Sequence, residues 1–127
     1  MIVLDTSVLI DSLTGLQRSA AAMRRLIESG QRILVPSLVL YEWLRGPRVP
    51  QELAAQEALF PSESTIPFGP QEAILSARLY RSLRRARTRE IDLAIAACAI
   101  SREAQLWTLN PSDFADVGGL LLFTNSQ

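Results

Sequence analysis

The chain is expected to fold as a single α/β domain, an α/β/α sandwich around a central parallel sheet. Three observations carry this expectation. Short apolar runs recur at residues 1–4, 33–35, 105–109 and 120–123. Longer segments with helical periodicity separate most of them. Strands alternating with helices build a parallel sheet covered on both faces, whose strands read as near-continuous apolar runs. The length of 127 residues suits one compact domain, 1–127, with one core. No repeat or low-complexity stretch interrupts it.

The elements follow in order. Residues 1–4 form a buried strand, and Asp5, Thr6 and Ser7 offer caps to a helix through Val8, Leu9, Ile10 and Leu13. Gly15 breaks it. A helix over 19–28 stops at Gly30, which suits the left-handed position after a helix. The second strand, 33–35, closes at Pro36, and Ser37 caps a helix over 38–45 that Gly46-Pro47 ends. Pro50 suits the first position of a helix over 50–59. Residues 64–68 read as a short edge strand, kept off the sheet centre by Pro67. Gly69-Pro70 opens a longer helix carrying Ile74, Leu75, Leu79 and Leu83. A helix over 91–100 is apolar on almost every side and should be buried. Two last strands, 105–109 and 120–123, flank a loop.

Composition narrows the chemistry. Apolar residues make up 48% of the chain, and 13 acidic residues balance 13 basic ones. The chain is therefore neither disordered nor a globally basic nucleic-acid coat, and nucleic acid would have to meet a local patch or a metal site. Every basic residue is Arg, a bias that suits bidentate phosphate contacts and equally follows from a GC-rich genome. With no His, His-based general-base catalysis, Ser-His-Asp triads and His-ligated zinc are excluded. Hydrolysis would have to run on carboxylates and hard cations. The lone Cys98 makes no internal disulfide, which together with the absence of a signal peptide or membrane-length apolar run predicts a soluble cytoplasmic protein.

Three carboxylates stand in apolar surroundings. Asp5 ends the first strand, where open parallel sheets bind ligands, although Asp also caps helices well. Asp92 heads the apolar helix IDLAIAACAI. A helix dipole would repay it by at most about 1 kcal/mol, less than the cost of burying an unpaired carboxylate. Glu42 lies among Leu38, Val39, Leu40, Tyr41, Trp43 and Leu44, either pairing with Arg45 or joining a site. Converging anions raise one another's pKa unless a cation neutralises them. Oxygen donors without His or Cys suit Mg²⁺ or Mn²⁺. The segment TLNPSDF adds Thr108 and Asn110 as neutral donors and Asp113 as a fourth carboxylate, or else forms an Asx-turn with Asp113 capping it.

These segments carry a family resemblance. MIVLDTSVLI resembles the opening of PIN-domain proteins, VPSLVLYEWLRG their second motif, and EIDLAIAACAISREAQLWTLNPSDF their third and fourth. The ordered set covers essentially the whole chain and looks most like the VapC toxins of toxin–antitoxin operons. The resemblance implies a metal-dependent endoribonuclease whose acidic metal positions are Asp5, Glu42 and Asp92, supported by hydroxyls at Thr6 or Ser7 and at Thr108. Where family members place Thr-x-Asp, this chain has Asn110, so Asp113 either replaces the fourth acid or the site has three. The resemblance also implies a cognate antitoxin and a homodimer, with Trp43 and Trp107 serving either interfaces or the core. For RNA, the run Arg78, Arg81, Arg84, Arg85, Arg87 and Arg89 offers a positive rim, with Arg78, Arg81 and Arg85 on one helical face. Two rivals remain: a PIN nuclease of RNA processing without an antitoxin, and a catalytically silent RNA-binding or assembly module.

Overall fold

A computed structural model describes residues 1–125. Four parallel strands, β1 (Ile2–Leu4), β2 (Ile33–Leu34), β3 (Gln105–Trp107) and β4 (Leu121–Leu122), form a sheet in the order β2-β1-β3-β4. Six helices accompany them: α1 (Thr6–Leu13), α2 (Ala20–Glu28), α3 (Ser37–Arg45), α4 (Pro50–Leu59), α5 (Pro70–Ser82) and α6 (Glu90–Ser101). Successive side chains of a strand point to opposite faces. Ile2, Val3 and Leu4 are all fully buried, so both faces of the sheet are covered at β1. The expected fold class holds.

The core is held by α6, where every residue from Leu93 to Ala99 is buried. Its all-round apolar surface has no amphipathic stripe because it meets neighbours on several sides, packing on α5, α3, β1 and β3. Trp43 and Trp107 belong to this core, the second of the two places the sequence left open for them. Cys98 is likewise a small core residue.

Local chemistry explains the ends of the elements. After α2, Gly30 takes φ +85°, its N–H bonding the Ile27 carbonyl while Gln31 N–H reaches Leu26. This paired closure is what a left-handed residue after a helix permits. The same closure follows α6, with Glu103 at φ 53° and its successor Ala104 bonding back to Ala99. Ser37 is the first residue of α3 rather than its cap, since Pro36 occupies the N-cap position. The strand expected over 64–68 shrinks to one bridge between Ile66 and Pro36, preceded by a 3₁₀ turn at Ser62–Ser64. Pro67 offers no N–H with which to continue the ladder.

Candidate active site

The strand order creates the site. In a doubly wound sheet of this order, the connections leaving β1 and β3 diverge, and a crevice opens at their carboxyl ends. Leu4 and Trp107 are register partners there, so the next residues, Asp5 and Thr108, are brought side by side. The Thr108 hydroxyl donates to Asp5 Oδ2 at 2.7 Å, and the Ser7 hydroxyl donates to the same oxygen at 2.9 Å. Ser7 Oγ in turn accepts the Leu109 N–H, and Thr108 Oγ1 accepts that of Asn110. Asp5 holds the N-cap position of α1, yet its side chain makes no capping bond. Its carboxylate is buried, and no Arg pairs with it among the described residues.

Two helices bring further acids. Glu42 projects from α3, which packs on α1, and accepts the Thr6 hydroxyl on Oε1. Its Oε2 meets Arg45 at 3.2 Å, so the ion pair and the site share one carboxylate. Asp92, in the first turn of α6, is half-buried rather than fully enclosed. Its pKa is pushed from 3.8 to about 6, first by burial and then by the facing charges of Asp5, Asp113 and Glu42, with Arg89 opposing them. A carboxylate that merely complemented the helix dipole would shift the other way. The charges of Asp5, Asp113 and Glu42 therefore all bear on Asp92.

The last loop differs from its expected form. Asn110 makes no side-chain hydrogen bond among the described residues; its carbonyl accepts the Asp113 N–H and closes a 3₁₀ turn, Pro111–Phe114, that contains Asp113 instead of being capped by it. Asp113, not Asn110, is the member of this loop whose charge reaches Asp92.

The arginine rim is rearranged. Helix α5 ends at Ser82, and Arg85 sits beyond it at φ 56°, so Arg85 leaves the face that Arg78 and Arg81 occupy. Arg89 is no free rim residue: its guanidinium grips Asp116 through two hydrogen bonds of 2.9 and 2.7 Å and donates to the Asp113 carbonyl at 2.7 Å. The bond from Arg89 holds the Asp116 carboxyl below its usual range. Exposed Arg87 lines, with Arg89, Glu42 and Asp92, a cleft of 290 Å³. Asp116 escaped the sequence reading because an exposed loop aspartate carries no local signal of its partner.

The donor set is carboxylate and hydroxyl oxygen, which suits a hard divalent cation, and among the described residues buried Asp5 has no basic partner to balance it. The arrangement is open: among the described residues, no three acidic or thiol side chains form a ready chelating group. It is looser than the four-carboxylate ligand set expected from the sequence.

Fold and site together define a class of doubly wound α/β proteins that gather carboxylates at the carboxyl edge of the sheet. The model of the PIN domain family matches residues 2–120. The chain belongs to the PIN-domain family. It is 36% identical over 117 residues to Ribonuclease VapC19 of Mycobacterium tuberculosis, covering 90% of this chain and 92% of that protein. It is 33% identical to Ribonuclease VapC1 of Rickettsia felis, covering 99% and 97%. Among solved structures, it resembles a chain of DNA-bound VapBC from Salmonella typhimurium with a TM-score of 0.76 at 23% identity, covering 96% of each chain. VapBC2 from Rickettsia felis, bound to a promoter DNA fragment, gives 0.75 at 20%, covering 99% of this chain and 100% of that one. At such identities the structures speak for the fold.

Proposed function

We propose that this chain is a divalent-metal-dependent endoribonuclease, the toxin half of a toxin–antitoxin pair, acting in the cytoplasm as one nuclease domain over 1–127. What supports the reading is buried Asp5 at the carboxyl end of β1, held by Ser7 and Thr108, with the charges of Asp5, Asp113 and Glu42 all bearing on Asp92. The ribonuclease names of the relatives at 36% and 33% identity support the substrate class.

Mg²⁺ or Mn²⁺ bound there would supply an acidified water and offset charge developing on the phosphodiester. Asp5 and Asp92 would hold the ion, with Glu42 and Asp113 beside them. Ser7 and Thr108 fix the Asp5 carboxylate, directing both hydroxyls to Oδ2. Thr6 does the same for Glu42. Arg87 would meet a substrate phosphate at the cleft mouth, with Arg78 and Arg81 further along the RNA path.

Partners follow from two apolar surfaces. A groove of 470 Å³ is lined by Leu13, Met23, Ile27, Ala55, Leu59 and Phe60 from α1, α2, α4 and the residue after α4. Its apolar lining would offer a seat for an apolar antitoxin segment. Tyr41 and Leu44, exposed three positions apart on α3, suit a homodimer contact. Among the described residues no helix is long and apolar enough to cross a membrane.

The test uses purified protein with RNA and a titration of Mg²⁺ or Mn²⁺. Wild type should cleave only with the ion, and Asp5→Asn or Asp92→Asn should reduce cleavage to background with the fold intact. Induced expression should arrest bacterial growth in wild type but not in Asp5→Asn. Unchanged cleavage by the Asp5→Asn/Asp92→Asn double variant would sink the assignment.

A further inference from the structure

The Arg89 side chain is committed within the protein in a way that RNA contact does not require. Arg89 precedes Glu90, the first residue of α6, and Asp92 is in that helix's first turn. Its planar fork meets both oxygens of Asp116, 27 positions away, at 2.9 and 2.7 Å. The nitrogen that holds Asp116 Oδ1 also donates to the Asp113 carbonyl at 2.7 Å. A bidentate fork constrains direction as well as distance, which a lysine could not do.

The loop after β3 has two anchors on its apolar side, buried Phe114 and Val117. Its polar side carries exposed Asp113, whose negative charge repels that of Asp92. Like charges would drive the turn outward unless something on the α6 side held its backbone. Arg89 bonds that backbone directly, and the same guanidinium is held by both oxygens of Asp116.

We propose that the Arg89–Asp116 pair is a latch that holds the Asp113 turn against the start of α6, setting the position of the fourth carboxylate. Both are positioning residues, and neither contacts substrate. The inference rests on the metal-site reading for its functional consequence, but the latch itself is a statement about the loop.

Two measurements separate those levels. In metal-free protein, Asp116→Asn should speed hydrogen exchange at the amides of Asp113 and Val117, and Asp116→Glu should restore part of the protection. Unchanged exchange at both amides overturns the latch whatever the metal does. Calorimetric titration with Mn²⁺ then reads the consequence: Asp116→Asn should weaken binding roughly tenfold, as loss of an outer partner of a ligand does. In an Asp113→Asn background, adding Asp116→Asn should bring no further loss, because the latch acts through Asp113. Full additivity of the two substitutions overturns the positioning role. Faster exchange in Asp116→Asn, with a wild type that binds no Mn²⁺, upholds the latch and rejects the metal-site reading instead.

Discussion

Replacing Asp92 by Asn in the metal-free protein removes a charge from a crowded site while keeping the shape of the side chain. Asp92 binds its proton more tightly in the folded chain, at about 6, than at its ordinary 3.8. Its ionisation therefore subtracts nothing from stability below the lower value, subtracts progressively more as pH rises between the two, and a constant amount above. At about 1.4 kcal/mol per tenfold change in proton affinity, the full interval corresponds to about 3 kcal/mol. Asp92 is only half-buried, so solvent screening reduces this to roughly 1–2 kcal/mol. For a chain of 127 residues, at about 3–5 °C per kcal/mol, Asp92→Asn should melt roughly 3–10 °C higher in EDTA at pH 7.5. The gain should vanish near pH 4, where the acid groups that titrate elsewhere affect both proteins alike. Saturating Mg²⁺ should reverse the order, since an ion at a hundred times its Kd stabilises wild type by about 2.7 kcal/mol. Scanning calorimetry of both proteins across this pH range provides the comparison. A lower melting temperature for Asp92→Asn at pH 7.5, or a gain that persists unchanged at pH 4, would refute the reasoning and make Asp92 a helix-terminal anchor.

Thr108→Val removes a 2.7 Å donor from a buried carboxylate and should cost about 2 kcal/mol, read as a lower urea midpoint at unchanged slope. Glu103→Gly should stabilise by about 1 kcal/mol, because φ 53° penalises any residue with a Cβ; an unchanged melting temperature would contradict this. Arg87→Gln should raise KM for RNA and flatten its salt dependence by about one phosphate contact, whereas Arg81→Gln, farther from the carboxylates, should change KM less; equal effects would argue against Arg87 at the cleft mouth. Asp113→Asn should raise the Mg²⁺ concentration for half-maximal cleavage, and an unaltered titration would leave the site to Asp5, Glu42 and Asp92.

What the sequence determined by itself was local or periodic. Apolar runs and helical spacing marked the strands and most of the helices, because burial of a strand or a helix face imposes its period on neighbouring residues, whereas α4 was marked by Pro50 alone. Asp5 and Asp92 stood out for a related reason: a carboxylate inside an apolar run is conspicuous without any knowledge of its neighbours. Where local signals were missing, the reading failed. No Gly or Pro stands between Ser82 and Arg89 to end α5, so the arginine run read as one continuous helical face, and Arg85 was placed on it. Pro67 marked an edge but could not say that only Ile66 would pair. Tertiary structure alone decided which distant groups meet. Thr108 donates to Asp5 across 103 positions because β3 lies beside β1 in register. Arg89 closes on Asp116 because the loop after β3 returns to the start of α6, turning an apparent RNA contact into an internal ion pair. Pairings of this kind depend on strand order and loop path, which no local period of the chain encodes.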